Sequence, residues 1–242
     1  MAENDYLGMD DLQINPAARI PLCFCADISG SMARENAEGK KPIEELNTFL
    51  NEMMSYIRGE ANLAESVEVA IVTFQSSVDV VRDFALCKAE DGLVELTASG
   101  GTALAHGVDK AVEILEARKQ MYKDQAVDYY QPILVLITDG KPGDLEDLPA
   151  VEAKTCQLSN ENKLSLFPVV IGADGDEAKW RSIMDCLKGL SPNHAPLHLK
   201  GLQFQGLLQF LGKSIERLHE SNPGQQEEKT TGGEVGGGWG EW

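Results

Sequence analysis

One apolar run near the start of the chain ends abruptly at an acid. Residues 20–26 read Ile-Pro-Leu-Cys-Phe-Cys-Ala and are followed by Asp27. An uninterrupted run of this kind is typical of a strand that is buried on both faces, as in the parallel sheets of α/β proteins. Because open sheets of that class bind ligands beyond the carboxyl ends of their strands, Asp27 is a candidate functional residue.

The residues after this strand are small and polar. Asp27, Ser29 and Ser31 alternate along one short loop and offer three oxygen ligands. Hard cations such as Mg²⁺ take oxygen ligands at about 2.1 Å in near-octahedral geometry. A capped helix start explains the same residues equally well, so the loop alone leaves both interpretations open.

Two later stretches add to the candidate site. Gly100 and Gly101 precede Thr102, which opens a periodic helical run, and a second apolar strand over residues 133–138 is followed by Asp139 and Gly140. Taken alone, Thr102 suits a helix N-cap, and Asp139 suits an ordinary turn after a strand.

In this order, the three motifs resemble the von Willebrand factor A (VWA) domain with its metal-ion-dependent adhesion site (MIDAS). The resemblance covers roughly residues 18–218. It implies an α/β, Rossmann-like fold: a doubly wound, mostly parallel six-stranded sheet with one antiparallel edge strand and helices on both faces.

The resemblance also implies a set of metal ligands. Matched motif by motif, they are Asp27, Ser29, Ser31, Thr102 and Asp139. Family sites bind Mg²⁺, with Mn²⁺ or Ca²⁺ as alternatives, and the threonine joins when the site is competent to bind its ligand. One coordination position stays open for an Asp or Glu of a partner protein, so the expected function is non-enzymatic, metal-dependent protein binding.

Periodicity predicts the order of the elements around this site. Strands are expected at 19–27, 67–74, 78–81, 133–138, 164–172 and 197–199, and helices at 42–57, 103–121, 144–162, 177–187 and 204–218. The expected organisation is a lead-in over residues 1–17, one domain over 18–218 and a flexible Gly/Glu-rich tail over 219–242. Trp239 and Trp242 make that tail either an incidental end or a docking peptide.

Two phrases look closest to the bacterial TerY-like group of VWA proteins, which is associated with tellurium resistance and the stress response. They are residues 96–104, Leu-Thr-Ala-Ser-Gly-Gly-Thr-Ala-Leu, and residues 196–204, Pro-Leu-His-Leu-Lys-Gly-Leu-Gln-Phe. By group analogy, a PP2C-type phosphatase or a protein kinase is a candidate partner, and a cytoplasmic scaffold or regulator in phosphorylation signalling is the expected role.

Composition excludes some functions and leaves rivals. A net charge of −18 argues against nucleic-acid binding, and neither a signal sequence nor a membrane span is expected. A Mg²⁺-dependent phosphohydrolase of the haloacid-dehalogenase type would use Asp27 as nucleophile, but it needs an acid where Ser29 stands. Metal-independent binding through the acidic surface or the tryptophan tail is the other rival.

His106 is expected to face solvent or pack rather than bind metal, and Arg34 and Lys141 flank the site loops.

Overall fold

The computed structural model describes residues 15, 17–35, 39–172, 177–200 and 204–220. Within them, six strands form one sheet in the order β3-β2-β1-β4-β5-β6. The strands are β1 (Ile20–Asp27), β2 (Val67–Phe74), β3 (Val78–Leu86), β4 (Ile133–Thr138), β5 (Ser165–Gly172) and β6 (Leu197–Lys200). All neighbours are parallel except β3, which runs antiparallel to β2 at the edge. The predicted sheet is confirmed.

Helices cover both faces of the sheet. One face carries α1 (Pro42–Gly59), α2 (Ala61–Ser66) and α6 (Phe204–Glu220), and the other carries α3 (Leu104–Asp124), α4 (Leu148–Asn160) and α5 (Glu177–Leu187). Alternation along β1 supplies both cores: Leu22 and Phe24 pack on the α1 side, whereas Cys23 and Cys25 pack on the α3 side. A strand between two helical layers needs apolar residues at every position, which is why β1 reads as one continuous run.

Helix α1 shows how local sequence sets an element. Pro42 lies in its first turn, where a missing N–H costs no hydrogen bond. Glu44 and Glu45 lie in the same turn, where their negative charges interact favourably with the positive end of the helix dipole. Arg58 lies in the last turn, where a cation is favourable. The buried residues recur at helical spacing: Ile43, Leu46, Phe49, Leu50, Met53, Met54 and Ile57.

The strand register brings two loops to one edge of the sheet. In the parallel pair of β1 and β4, Ala26 lies opposite Ile137, so the two strands end together. Asp27 closes β1, and Asp139 directly follows β4. The two acids therefore meet at the carboxyl edge of the sheet.

Several boundaries differ from the sequence-based expectation. Strand β3 was expected over residues 78–81 but extends to Leu86. Because it is an exposed edge strand with bulged pairing, its alternating pattern is not visible in the sequence. Helix α4 was expected from Asp144 but begins at Leu148, because the Asp144 carboxylate instead accepts hydrogen bonds from the first turn of α3. Helix α2 was not predicted. Helix α6 runs two residues past the predicted end of the domain, and the rest of the tail lies outside the described residues.

Candidate metal centre

Asp27 is fully buried at the end of β1 and is held by two hydrogen bonds. Its Oδ1 accepts the backbone N–H of Ser29 at 2.7 Å, and its Oδ2 accepts the hydroxyl of Thr138 at 2.6 Å. Burial raises the pKa of Asp27 to about 6, against the lowering effect of the bonds from Thr138 and Ser29; the nearby charge of Asp139 adds to the rise. The carboxylate is therefore oriented, but no cationic side chain of the described residues balances its charge.

A chain of hydroxyls connects Asp27 to the second acid. The Oγ of Ser31 donates to Oδ1 of Asp139 at 2.6 Å, and the Oγ atoms of Ser29 and Ser31 lie 3.0 Å apart. The two hydroxyls are thus within hydrogen-bond distance of each other, and Ser31 donates its own proton to Asp139. Four of the five predicted ligands thus form one connected cluster.

Asp139 is only 7% exposed, and no Lys, Arg or His of the described ranges forms an ion pair with it or with Asp27. An isolated buried carboxylate is costly unless a partner charge is supplied. Two carboxylates beside neutral hydroxyls match the oxygen-only ligands that hard divalent cations prefer. In the part of the chain that the structure describes, no group of three or more His, Cys, Asp or Glu is arranged to hold a metal ion, so the candidate site depends on hydroxyls as well as carboxylates.

Thr102 lies at the margin of this cluster. Its Oγ1 and Oδ2 of Asp27 lie 3.7 and 3.9 Å from the point where a Cβ on Gly140 would stand. A Cβ at position 140 would therefore be in ordinary van der Waals contact with both the threonine hydroxyl and the acid. Within the described residues, the Thr102 hydroxyl forms no hydrogen bond, unlike the hydroxyls of Ser29 and Ser31.

The other residues considered from the sequence lie outside the cluster. His106 is 58% exposed in its side chain and pairs with Asp144 and Asp147, at 3.4 and 3.1 Å, so the expectation that it faces solvent is confirmed. Arg34 and Lys141 are exposed on the site loops, as expected of solvated charges.

Sequence reasoning missed residues that act on the cluster from outside. Thr138 holds Asp27, and its place in the Thr-Asp-Gly motif was a visible signal. Ser76 and Asp144 bind the backbone on either side of Thr102, and nothing in their local sequence points to that contact. Only the fold brings them together, because they lie 25 and 39 residues from their partners.

Comparison with known proteins agrees with this architecture. Residues 22–141, just under half of the chain, match the family described as von Willebrand factor type A domain, and this range contains all five predicted ligands. No curated protein sequence matches the chain.

Solved structures share the fold at low sequence identity. The pilus adhesin SpaC from Lactobacillus rhamnosus GG aligns with a TM-score of 0.62 and 15% identity over 84% of this chain and 31% of its own. BatB from Bacteroides thetaiotaomicron aligns at 0.56 and 13%, over 84% of this chain and all of its own. Proximal thread matrix protein 1 from the mussel byssus, described with a zinc-occupied MIDAS motif, aligns at 0.53 and 16%, over 84% and 47%.

These matches define the class of the domain. The six-stranded sheet, its helices and the match over residues 22–141 make this a VWA-type α/β fold. At such identities the structures show the fold alone, and this chain spans less than a third of SpaC. In the described part of the chain, no helix is both long enough and apolar enough to span a bilayer.

Proposed function

We propose that this chain is a VWA-family, metal-dependent protein-binding module. Its cation is held by Asp27, Ser29, Ser31, Thr102 and Asp139, and the preferred ion is Mg²⁺. The domain is proposed to extend over residues 18–218. The family match and the clustered hydroxyls and acids support this proposal.

One observation carries the proposal: two buried carboxylates meet at a sheet edge without a cationic side chain of the described residues to balance them. A divalent cation offsets both charges at once. Neutral hydroxyls complete the site without adding negative charge, so the cation still attracts a further anionic oxygen. A carboxylate from an Asp or Glu of a partner protein meets that need.

The residue at position 29 supports binding rather than hydrolysis. A phosphohydrolase nucleophile would have to reach a substrate phosphorus, with an acid at position 29 to move the proton. Ser29 cannot supply that acid–base function at neutral pH.

The cellular role is proposed at a finer level by group analogy. We propose a cytoplasmic, TerY-like scaffold or regulator in phosphorylation signalling, with a PP2C-type phosphatase or a protein kinase as partner. Support comes from the sequence phrases at 96–104 and 196–204; the first is the segment that leads into the Thr102 loop. The tryptophan tail remains a second candidate binding element.

Direct metal binding tests the proposal first. Calorimetric titration of the full chain with Mg²⁺ is expected to give one site, and Asp27→Asn is expected to lose it. A pull-down from lysate, in Mg²⁺ and in EDTA, then identifies a partner. A chain that binds no Mg²⁺, or whose Asp27→Asn variant binds equally well, would overturn the proposed function. A partner retained in EDTA would assign binding to the acidic surface or the tail.

A further inference from the structure

Thr102 differs from the other four proposed ligands in how its position is fixed. Asp27, Ser29, Ser31 and Asp139 are tied to each other or to strand ends by side-chain hydrogen bonds. The Thr102 hydroxyl has no such bond in the described residues. Its reach toward a cation therefore depends on where the backbone of residues 100–103 is held.

The β2–β3 turn holds one flank of this backbone. Ser76 Oγ accepts the N–H of Gly101 at 2.8 Å, and the carbonyl of Gln75 accepts the N–H of Ala103 at 2.6 Å. Gly100 has a φ of +74°, and a Cβ there would lie 2.7 Å from Gln75 Oε1 and 2.9 Å from Ser76 Oγ. The left-handed backbone favours glycine at this position, and the missing side chain lets the Thr102 loop pack directly against Gln75 and Ser76.

The loop after Asp139 holds the other flank. Asp144 accepts the N–H groups of Ala105 and His106, at 3.1 and 3.0 Å, with one carboxylate oxygen each. The N–H of Gly143 donates to the carbonyl of Thr102 at 2.7 Å. The Asp144 side chain is only 9% exposed. One short loop thus links the acid at position 139 to the backbone that carries Thr102.

We propose that Asp144 and Ser76 are positioning residues that fix the Thr102 hydroxyl at the metal from opposite flanks. This inference rests on the proposed function. Neither residue belongs to the proposed ligand set. Removing either one takes away the side-chain hydrogen bonds on one flank of the Thr102 backbone and leaves the backbone bonds there. Outer partners of metal ligands typically contribute a factor of about 10 to 100 in affinity.

The chain offers a matched control for each residue. Asp147 lies in the same loop and carries the same charge, but its 48% exposed side chain pairs only with the His106 imidazole. Asp147→Ala therefore reproduces the loss of charge in Asp144→Ala without removing a hydrogen bond to the backbone near Thr102. Ser77 is the neighbour of Ser76 and bonds within its own hairpin, to Asp79 at 3.3 Å, so Ser77→Ala controls for Ser76→Ala.

The experiment is a double-mutant cycle with Thr102, read as metal affinity of the full chain. Mg²⁺ is titrated by calorimetry and Mn²⁺ by electron paramagnetic resonance, and melting in EDTA checks that each variant is folded. Asp144→Ala and Ser76→Ala are expected to weaken binding about tenfold, and their controls less than about twofold. In a Thr102→Ala background, Asp144→Ala and Ser76→Ala are expected to add no more than their controls, because they act through the absent hydroxyl.

Two results would overturn the inference. One is an equal effect of Asp144→Ala and Asp147→Ala together with no effect of Ser76→Ala. The other is an undiminished effect of either variant in the Thr102→Ala background, which would show that it does not act through Thr102. If Asp144→Ala fails to fold, the Ser76 and Ser77 pair decides. Wild-type chain that binds neither ion refutes the proposed function instead, so the two failures are distinguishable.

Discussion

Buried acids occur at both ends of the central sheet, and the two groups are balanced in different ways. Glu68, near the start of β2, is 1% exposed and accepts two hydrogen bonds from the guanidinium of Arg118, at 2.7 and 2.8 Å. The hydroxyl of Tyr122 donates to it at 2.5 Å, and Arg19 Nε lies 3.7 Å away. This end of the sheet carries its own cations, which we call the arginine cluster (Arg19, Glu68, Arg118 and Tyr122).

The opposite end holds Asp27 and Asp139, whose side-chain donors are hydroxyls. Both acids are buried, as Glu68 is, yet the described residues place no Lys, Arg or His against either one. The contrast distinguishes two kinds of buried acid: the charge of one paired with arginine is offset within the fold, whereas a pair that accepts only neutral donors suits a cation from solution.

The titration behaviour of the two ends differs in the same way. Burial lowers the pKa of Arg118, but the hydrogen bonds and charge of Glu68 outweigh it and leave the pKa above its ordinary value. Arg118 therefore keeps its positive charge beside Glu68. At the other end, burial raises the pKa of Asp27 to about 6, as expected where no cation favours the charged form.

The largest effect is expected from a substitution that breaks the arginine cluster. Arg118→Ala leaves Glu68 buried without its bidentate partner, and removal of one member of a buried ion pair costs about 3–5 kcal/mol of unfolding free energy. Urea unfolding in EDTA measures that loss. Lys110→Ala, which breaks an exposed pair with Glu113, is the control and is expected to cost less than about 1 kcal/mol. A loss as small as the control's would mean that the arginine cluster does not stabilise the fold.

Asp27→Asn in metal-free protein is expected to have a smaller effect in the opposite direction: it should raise the free energy of unfolding. The folded pKa of about 6 lies above the ordinary value of 3.8, so the folded state binds more protons between these values. Stability should therefore rise as the pH falls from 7 toward 4, and ionised Asp27 costs about 3 kcal/mol at pH 7. Asparagine removes that cost because its amide donates to Thr138 while its oxygen still accepts from Ser29.

Unfolding curves of wild type and Asp27→Asn in EDTA, compared at pH 7 and pH 5, measure this difference. His194 titrates in the same range with the opposite sign: burial lowers its pKa to about 4, so its contribution to stability falls as the pH drops below 6.5. Because wild type and Asp27→Asn both contain His194, its contribution cancels when the unfolding free energy of one protein is subtracted from that of the other. Asp27→Asn that is less stable than wild type at pH 7 would show that the charge of Asp27 is already balanced, and the contrast between the two ends would disappear.

The residues of the candidate site that a local sequence pattern marks could be predicted, and the contacts that only long-range packing creates could not. Asp27 and Asp139 were visible because each ends an apolar strand, and the serines because they alternate after the first acid. The arginine cluster was hidden, because Glu68 interrupts an apolar strand and its partner Arg118 lies 50 residues away on a helix. Local pattern gives no sign of such a pairing.

The same limit explains the misplaced start of α4. Residues 144–147 carry three acids and read as the charged first turn of a helix, which is a favourable place for negative charge. Asp144 does serve a helix N-terminus, but that of α3 rather than its own. The sequence-based prediction assigned Asp144 to the wrong helix, because only the three-dimensional fold identifies which helix it serves.

The smallest expected effect concerns Lys141, which is exposed two residues after Asp139. If a solvated lysine could replace a buried cation, Lys141→Ala would remove a competitor for the site and strengthen Mg²⁺ binding about tenfold. Because water screens an exposed charge, we expect a change of less than about twofold, measured by calorimetry. Lys110→Ala, a distant variant with the same change in net charge, separates the local effect from the general one. A tenfold gain confined to Lys141→Ala would mean that the Asp27–Asp139 end also carries a cation of its own, and the two ends of the sheet would differ only in how exposed that cation is.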